Sequence, residues 1–256
     1  MTYRNIFDTH SHYDDEKFSA DRDEVLFRLH ENGVCGVIDC GCDKASSLEA
    51  IKLSEKFGFV YAAIGVHPHE AAEAKESDLE ELKALYSKEK VVAVGEIGLD
   101  YHYDFSPRSI QLEFFEKQLL LANELSLPVI VHDREAHEDT LNLLKKYKPK
   151  GVVHCFSGSA EMAKEVLKLG MYIGLGGAVT FKNAKKPLEV AKAVPIDRLL
   201  LETDCPYMAP VPKRGTRNDS SLILYAAQKI SEVRGISSEE LLLITEENAK
   251  RLFKIV

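Results

Sequence analysis

The sequence of 256 residues predicts an α/β fold, a single-domain (β/α)8 barrel of the TIM type over residues 1–256. Eight apolar runs rich in β-branched residues are predicted to be strands, and helical patterns lie between them. This alternation predicts parallel strands, because each parallel pair needs a crossover back to the same end of the sheet. Eight such units in about 250 residues are typical of the barrel. An open doubly wound sheet is the alternative, but Asp8-Thr9-His10-Ser11-His12 replaces its Gly-rich turn after the first strand.

The predicted strands are short apolar runs, each followed by polar or turn-forming residues. Continuous apolar runs of this kind are typical of parallel strands that are buried on both faces. In chain order they are Asn5–Thr9, Cys35–Cys40, Val60–Val66, Val91–Glu96, Pro128–His132, Gly151–His154, Met171–Leu175 and Arg198–Glu202.

The predicted helices carry apolar residues three and four positions apart, which places these residues on one face. The first helix stops at Gly33, a residue type that commonly closes a helix in a left-handed conformation. Helices between strands are predicted at Asp21–Glu31, Ala45–Phe57, Leu79–Ser87, Ser109–Leu125, Glu135–Tyr147, Ala160–Leu169 and Pro187–Ala193, with closing helices at Ser220–Arg234 and Ser237–Phe253.

The charge and hydropathy of the chain exclude some classes of protein. With 33 basic and 41 acidic side chains, the formal net charge is −8, which argues against a protein that coats nucleic acid with a broad basic surface. No stretch is apolar enough to cross a bilayer, and the polar start at residues 1–5 lacks the apolar core of a secretion signal. A cytoplasmic location is therefore expected. The five cysteines are expected to be reduced thiols.

Side chains that can bind metal ions follow five of the eight predicted strands. They are His10 and His12 after the first strand, Glu96 after the fourth, His132 after the fifth, His154 after the sixth and Asp204 after the eighth. Barrel enzymes place functional groups at the carboxyl ends of strands, where the eight loops meet. A lone His-x-His pair is a weak signal, although an extended backbone points both rings to the same side. The repetition at strand ends is what predicts a metal site.

Six motifs, each at the end of a predicted strand, are spread over almost the whole chain. They are Asp8-Thr9-His10-Ser11-His12, Gly65-Val66-His67-Pro68-His69, Gly95-Glu96-Ile97-Gly98-Leu99-Asp100-Tyr101, His132-Asp133-Arg134-Glu135, His154-Cys155-Phe156-Ser157-Gly158 and Glu202-Thr203-Asp204-Cys205-Pro206-Tyr207. Together they resemble the motifs of the TatD family of metal-dependent hydrolases, within the amidohydrolase-like barrels. Their joint presence makes the resemblance specific.

The resemblance implies two divalent cations per chain. It assigns one ion to His10, His12, Glu96 and Asp204, and the other to Glu96, His132 and His154. Glu96 would bridge the ions, which suits a carboxylate because its two oxygens can bind two cations. Mixed nitrogen and oxygen ligands favour Zn²⁺ or Mn²⁺ over Mg²⁺, and the choice among the three metals stays open.

The resemblance further implies a deoxyribonuclease that trims strands from the 3′ end by hydrolysing phosphate esters. Asp204 and Glu96 are the expected catalytic carboxylates: Asp204 would orient and deprotonate a water whose pKa the metal lowers, while Glu96 would hold both ions. DNA ends or small phosphate esters are the expected substrates. Neither a membrane nor an obligate protein partner is expected.

Two other functions stay open at the level of sequence. An amidohydrolase acting on a cyclic amide or an amino-substituted ring could use the same activated water against a carbonyl carbon. A non-catalytic barrel that only binds metal or a partner is the third hypothesis, and the intact set of ligands argues against it.

Further residues at the same strand ends are candidates for supporting roles. His67 and Arg134 are candidate substrate-binding residues, because the planar guanidinium of arginine matches a phosphate group. Asp100 and Glu202 are predicted either to fix the tautomer of a ligating histidine or to be ordinary hydrogen-bonded carboxylates.

The loop from Arg214 to Ser220 and the remaining histidines carry weaker signals. Arg214 and Arg217 could contact a phosphate backbone or be solvated loop charges, and the loop departs from the Arg-Asn-Glu-Pro common in the family. The other histidines are expected on the surface; these are His30, His69, His102 and His137.

Overall fold

The predicted eight-stranded barrel is present in the computed structural model, which describes residues 4–256. All seven pairs of neighbouring strands are parallel, in the order β1 to β8. The strands are β1 (Ile6–Ser11), β2 (Val34–Cys40), β3 (Val60–Ile64), β4 (Val91–Asp100), β5 (Val129–Arg134), β6 (Gly151–Val153), β7 (Tyr172–Leu175) and β8 (Leu199–Leu201). The fold class is confirmed. Two predictions involve residues outside the described range and stay predictions. They are the domain extent of 1–256 and the absence of a secretion signal at residues 1–5.

Helices follow the strands at each predicted position, and the differences from the predicted bounds lie at helix ends. They are α1 (Arg22–Glu31), α2 (Lys44–Lys56), α3 (Glu76–Leu85), α4 (Arg108–Leu125), α5 (His137–Tyr147), α6 (Ala160–Lys168), α7 (Lys185–Ala193), α8 (Ile223–Arg234) and α9 (Ser238–Phe253). The first three residues of the predicted closing helix form a 3-10 turn at Ser220–Leu222 instead. Between residues 4 and 256, each helix is too short or too polar to traverse a bilayer. The cytoplasmic location stays a prediction.

Strand β4 continues four residues past its predicted end at Glu96, because Gly98 permits an unusually close approach to β5. Gly98 pairs with His132, and its φ of +148° lies outside the range that other residues readily adopt. A Cβ atom at Gly98 would lie 2.0 Å from the carbonyl oxygen of His132. The close pairing therefore brings Asp100, at the end of β4, alongside the end of β5.

Backbone hydrogen bonds beyond the strand ends close the barrel between β1 and β8. The amide of Asp204 donates to the carbonyl of His10 at 3.0 Å, and the amide of His12 donates to the carbonyl of Cys205 at 2.8 Å. These bonds fix the candidate ligands of β1 against the candidate ligand that follows β8.

The buried carboxylate of Asp8 reinforces this closure. The amide of Thr203 donates to its Oδ1 at 3.0 Å, and the hydroxyls of Thr203 and Ser220 donate to its Oδ2 at 2.5 and 2.7 Å. The amide group of Asn218 donates to the carbonyls of Thr203 and Tyr207 at 3.0 and 2.7 Å. The end of the Arg214 to Ser220 loop is thus a structural part of the barrel closure.

The two arginines of that loop are engaged with the protein itself. Arg217 donates two hydrogen bonds of 2.7 Å to the carboxylate of Asp21. The guanidinium of Arg214 lies 4.2 Å from the ring centroid of Phe181. Arg217 is therefore ion-paired with Asp21 and is not a solvated charge, and its contact with phosphate stays a prediction.

We expect Gly98→Ala to lower the free energy of unfolding by about 2 to 3 kcal/mol, because the new methyl group would collide with the β5 backbone. Gly58→Ala is the matched control, since a Cβ there meets nothing within 4 Å. It should change the stability by less than about 0.5 kcal/mol. Urea denaturation followed by circular dichroism measures both values, and equal stabilities of the two variants would contradict the close approach.

Candidate metal centre

The carboxylate of Glu96 lies between two groups of histidines. Its Oε2 is 3.3 Å from His10 Nε2 and 3.6 Å from His12 Nε2. Its Oε1 is 2.8 Å from His132 Nδ1 and 2.7 Å from His154 Nε2. One carboxylate oxygen therefore faces the histidines of β1, and the other faces the histidines at the ends of β5 and β6.

Asp204 completes the group around the histidines of β1. Its Oδ1 is 3.7 Å from His10 Nε2 and 3.4 Å from His12 Nε2. The side chain of Asp204 is 21% exposed, whereas that of His10 is fully buried. Asp204 therefore lies on the solvent side of this group.

The chemistry of these side chains fits divalent cations. Nε2 of His10 and Nε2 of His12 are 3.0 Å apart, and Nδ1 of His132 and Nε2 of His154 are 3.3 Å apart. Ring nitrogens that converge in this way, next to a carboxylate, offer several lone pairs to one position. Three groups have ligand atoms within 4.8 Å of one another; they are His10–His12–Glu96, His10–His154–Asp204 and His67–Glu96–His132. The six predicted ligands thus lie together, and His67 lies with them.

Hydrogen bonds on the far side of two imidazoles fix the nitrogens that face the centre. Nδ1 of His12 lies 2.8 Å from the carbonyl oxygen of Cys40. A carbonyl can only accept, so Nδ1 carries a proton, and Nε2 offers its lone pair when the ring is neutral. Nε2 of His132 lies 3.1 Å from Asp100 Oδ2, which leaves Nδ1 directed at Glu96. Of the two readings given for Asp100, the histidine partner is the one observed.

Asp100 links His132 to the neighbouring loops. Its Oδ2 also lies 2.9 Å from Nε2 of His69, and its Oδ1 accepts hydrogen bonds from the amides of His102 and Tyr103 at 3.0 and 2.9 Å. Burial alone would raise the pKa of Asp100, but hydrogen bonds from His132, the amide of Tyr103 and His69 hold it below its usual value. The expectation of a surface position for His69 is therefore wrong, because this half-buried ring joins the network around the centre.

Glu202 does not orient His154 through a direct hydrogen bond. Its Oε1 is 3.8 Å from Nδ1 of His154 and instead accepts a hydrogen bond from the amide of Cys155. Within residues 4–256, neither His154 Nδ1 nor Glu202 Oε2 has a hydrogen-bond partner. Burial raises the pKa of Glu202 to about 8. Glu202 is therefore better described as an ordinary hydrogen-bonded carboxylate than as a residue that fixes the tautomer of His154.

The tautomer of His67 suits hydrogen bonding better than metal ligation. The amide of His69 donates to Nδ1 of His67 at 3.2 Å. An amide can only donate, so a neutral His67 carries its proton on Nε2, which lies 3.5 Å from Glu96 Oε1. His67 thus presents an N–H donor to the centre. Arg134 lies at the exposed rim, with its guanidinium 4.6 Å from the ring centroid of Tyr103.

The histidines of the cluster differ in their protonation states. Burial lowers the pKa of His10 and of His67 to about 4, so both rings are neutral near pH 7. Burial would raise the pKa of Glu96, but His154 and His67 hold it well below its usual value. The neutral rings of His10 and His67 and the ionised Glu96 are the forms that a cation needs. The pKa values of His12, His132 and His154 are raised instead, so the protonated forms of these rings must lose a proton when a cation binds.

Comparison with known proteins decides the family. The family model described as TatD related DNase matches residues 7–254. The chain belongs to the TatD family. Bacillus subtilis strain 168 has a relative named uncharacterized metal-dependent hydrolase YabD. It is 48% identical to this TatD-family chain over 253 residues, which are 98% of this chain and 99% of the relative.

Two further proteins show the same whole-length similarity. The 3′-5′ ssDNA/RNA exonuclease TatD of Erwinia tasmaniensis is 36% identical over 98% of this TatD-family chain and 100% of its own length. The crystal structure of YjjV, a TatD homologue from Escherichia coli K12, superposes with a TM-score of 0.92 at 33% identity, covering 98% of this chain and 99% of that one. The predictions of a barrel fold and of a metal-dependent hydrolase are confirmed. The number and identity of the ions stay predictions.

We expect metal affinity to rise with pH between pH 6 and pH 9. Burial lowers the pKa of His132, but hydrogen bonds to Asp100 and Glu96 raise it to about 9 in the metal-free protein. A cation needs the deprotonated nitrogen, so binding below this pKa must release the proton.

Calorimetric titration with Mn²⁺ at pH 7, in buffers of different ionisation enthalpy, measures the protons released. The expected release is at least about one proton, because His132 is charged at this pH and the pKa values of His12 and His154 are also raised. The release should decrease in Asp100→Asn, which removes a charge that raises the pKa of His132. Binding that is independent of pH from 6 to 9 would show that His132 is neutral or is not a ligand.

Proposed function

We propose that this TatD-family hydrolase is a two-metal phosphodiesterase that removes nucleotides from the 3′ end of single-stranded DNA. The observation that carries the proposal is the position of Glu96, with one oxygen towards His10 and His12 and the other towards His132 and His154. The name of the Erwinia tasmaniensis relative, an exonuclease acting on single-stranded DNA and RNA, supports this substrate and polarity.

In this proposal the histidine groups hold separate ions. His10, His12, Asp204 and Oε2 of Glu96 would hold one divalent cation. His132, His154 and Oε1 of Glu96 would hold the second. When bound, Zn²⁺, Mn²⁺ or Mg²⁺ at these positions supplies positive charge that lowers the pKa of water and offsets negative charge on a phosphate.

Asp204 is the proposed general base. Burial would raise its pKa, but the hydrogen bond with His12, whose own pKa is raised, holds the pKa of Asp204 below its usual value. The carboxylate is therefore ionised at neutral pH, and its partial exposure allows contact with incoming water. Asp204 would orient the attacking water and accept its proton.

His67 and Arg134 are the proposed substrate-binding residues. The Nε2 proton of His67 points towards the centre, so this ring can donate a hydrogen bond to a phosphate oxygen while it remains neutral. Arg134 lies farther out, beside the exposed ring of Tyr103, where its guanidinium can bind a neighbouring phosphate of the strand.

We expect the purified protein to release nucleotides from a single-stranded oligonucleotide in the presence of Mn²⁺. His154→Ala should lower kcat/KM by at least about 100-fold, because it removes a proposed ligand of the second ion. The matched control is His30→Ala, which truncates an exposed histidine on α1 and should leave the rate unchanged. A strand labelled at either end, analysed by gel electrophoresis, gives both rate and polarity.

Two outcomes would count against the proposal. Full activity in His154→Ala would show that this histidine is not part of the active site. Hydrolysis confined to a panel of lactones, hydantoins and aminopurines, with no release from DNA under Mn²⁺, Mg²⁺ or Zn²⁺, would favour the amidohydrolase alternative.

A further inference from the structure

Two exposed aromatic side chains lie beside the metal centre, on the loop after β4. Tyr103 is 47% exposed and Phe105 is 67% exposed. Their rings are stacked, with centroids 5.2 Å apart and an interplanar angle of 19°. We call this pair the aromatic platform. Large aromatic rings are usually buried, so two adjacent exposed rings at a rim indicate a binding surface.

The platform is separated from the centre by a single imidazole. The ring centroid of Phe105 is 4.8 Å from that of His69, and the ring centroid of His69 is 6.1 Å from that of His132. His132 in turn contacts Glu96. A strand whose phosphate reaches the metal centre can therefore place one of its nearest bases at the platform.

Hydrogen bonds at both ends hold the platform loop in position. Oδ1 of Asp100 accepts the amide of Tyr103 at 2.9 Å, while Oδ2 of the same carboxylate contacts His132. At the other end, the hydroxyl of Ser106 donates to the carbonyl of His69 at 2.9 Å and accepts the amide of Ala72 at 3.0 Å. The platform is thus preorganised relative to the centre, which reduces the entropy lost on binding.

A cation beside the platform suits a ligand that carries both phosphates and aromatic bases. The guanidinium of Arg134 lies 4.6 Å from the ring centroid of Tyr103, so a cation and two aromatic rings adjoin one another at the rim. Proteins that bind single strands combine positive charge along the backbone with aromatic rings under the bases. With a net charge of −8, the chain as a whole repels nucleic acid, so local contacts of this kind must provide the affinity.

We propose that Tyr103 and Phe105 stack on an unpaired nucleobase next to the scissile phosphate and thereby select single-stranded ends. A base inside a duplex is covered by its neighbours and held by its pairing partner, so it offers no free face to the platform. This inference rests on the proposed nuclease function and identifies the residues that recognise the substrate's unpaired bases.

The test compares two single-stranded substrates, one natural and one with abasic sugars at its last two 3′ positions. Removing one stacking contact should raise KM by roughly 5- to 150-fold. We therefore expect the wild-type protein to have the higher KM on the abasic substrate. Phe105→Ala should raise KM on the natural substrate, so that the two KM values become nearly equal, while Phe105→Trp should restore the difference.

The matched control is Phe27→Ala. Phe27 is 64% exposed on α1 and lines a groove with Cys35 and Tyr61, near the amino ends of β2 and β3, at the opposite end of the barrel. Its removal should leave both KM values unchanged. If Phe105→Ala keeps the wild-type ratio of the two KM values, the proposed stacking of a base on the platform is wrong, while the proposed nuclease function is unaffected. If the wild-type protein releases nothing from either strand, the proposed function fails, and this inference fails with it.

Discussion

A buried ionised carboxylate is the constraint on which the rest of this structure depends. Glu96 is 3% exposed, and a charge removed from water in this way is costly unless opposite charge or hydrogen-bond donors surround it. Histidines from three strand ends supply that compensation in the metal-free protein, where the pKa of His132 is raised to about 9. In the proposed function, cations on either side of Glu96 would take the place of the protons on these histidines and offset the charge of the carboxylate.

Hydrogen-bond acceptors behind the candidate metal centre determine which nitrogen atoms of two histidines face it. The carbonyl of Cys40 and the carboxylate of Asp100 set which nitrogens of His12 and His132 face inwards. Asp100 also holds the amide of Tyr103, so one side chain connects a candidate ligand with the aromatic platform. In the proposed function, substrate recognition and metal binding would therefore depend on one rigid support.

The fold was predictable from the sequence because strands buried on both faces give uninterrupted apolar runs, as in Val91 to Val94. The proposed ligands were predictable because the barrel gathers the residues at its strand ends. Contacts that depend on local backbone geometry could not be predicted from the sequence. The bond between Asp100 and His132 requires the close pairing at Gly98, and the hydrogen bond of Asp8 to the amide of Thr203 joins residues 195 positions apart. No periodicity in a single sequence reports such contacts.

The most direct test of the shared carboxylate is anomalous X-ray diffraction from crystals grown with Mn²⁺. Two separate anomalous peaks are expected, one between Glu96 and the histidines of β1 and one between Glu96 and the histidines that end β5 and β6. A single peak that does not involve Glu96, or peaks bound elsewhere on the barrel, would contradict a two-metal centre bridged by this residue.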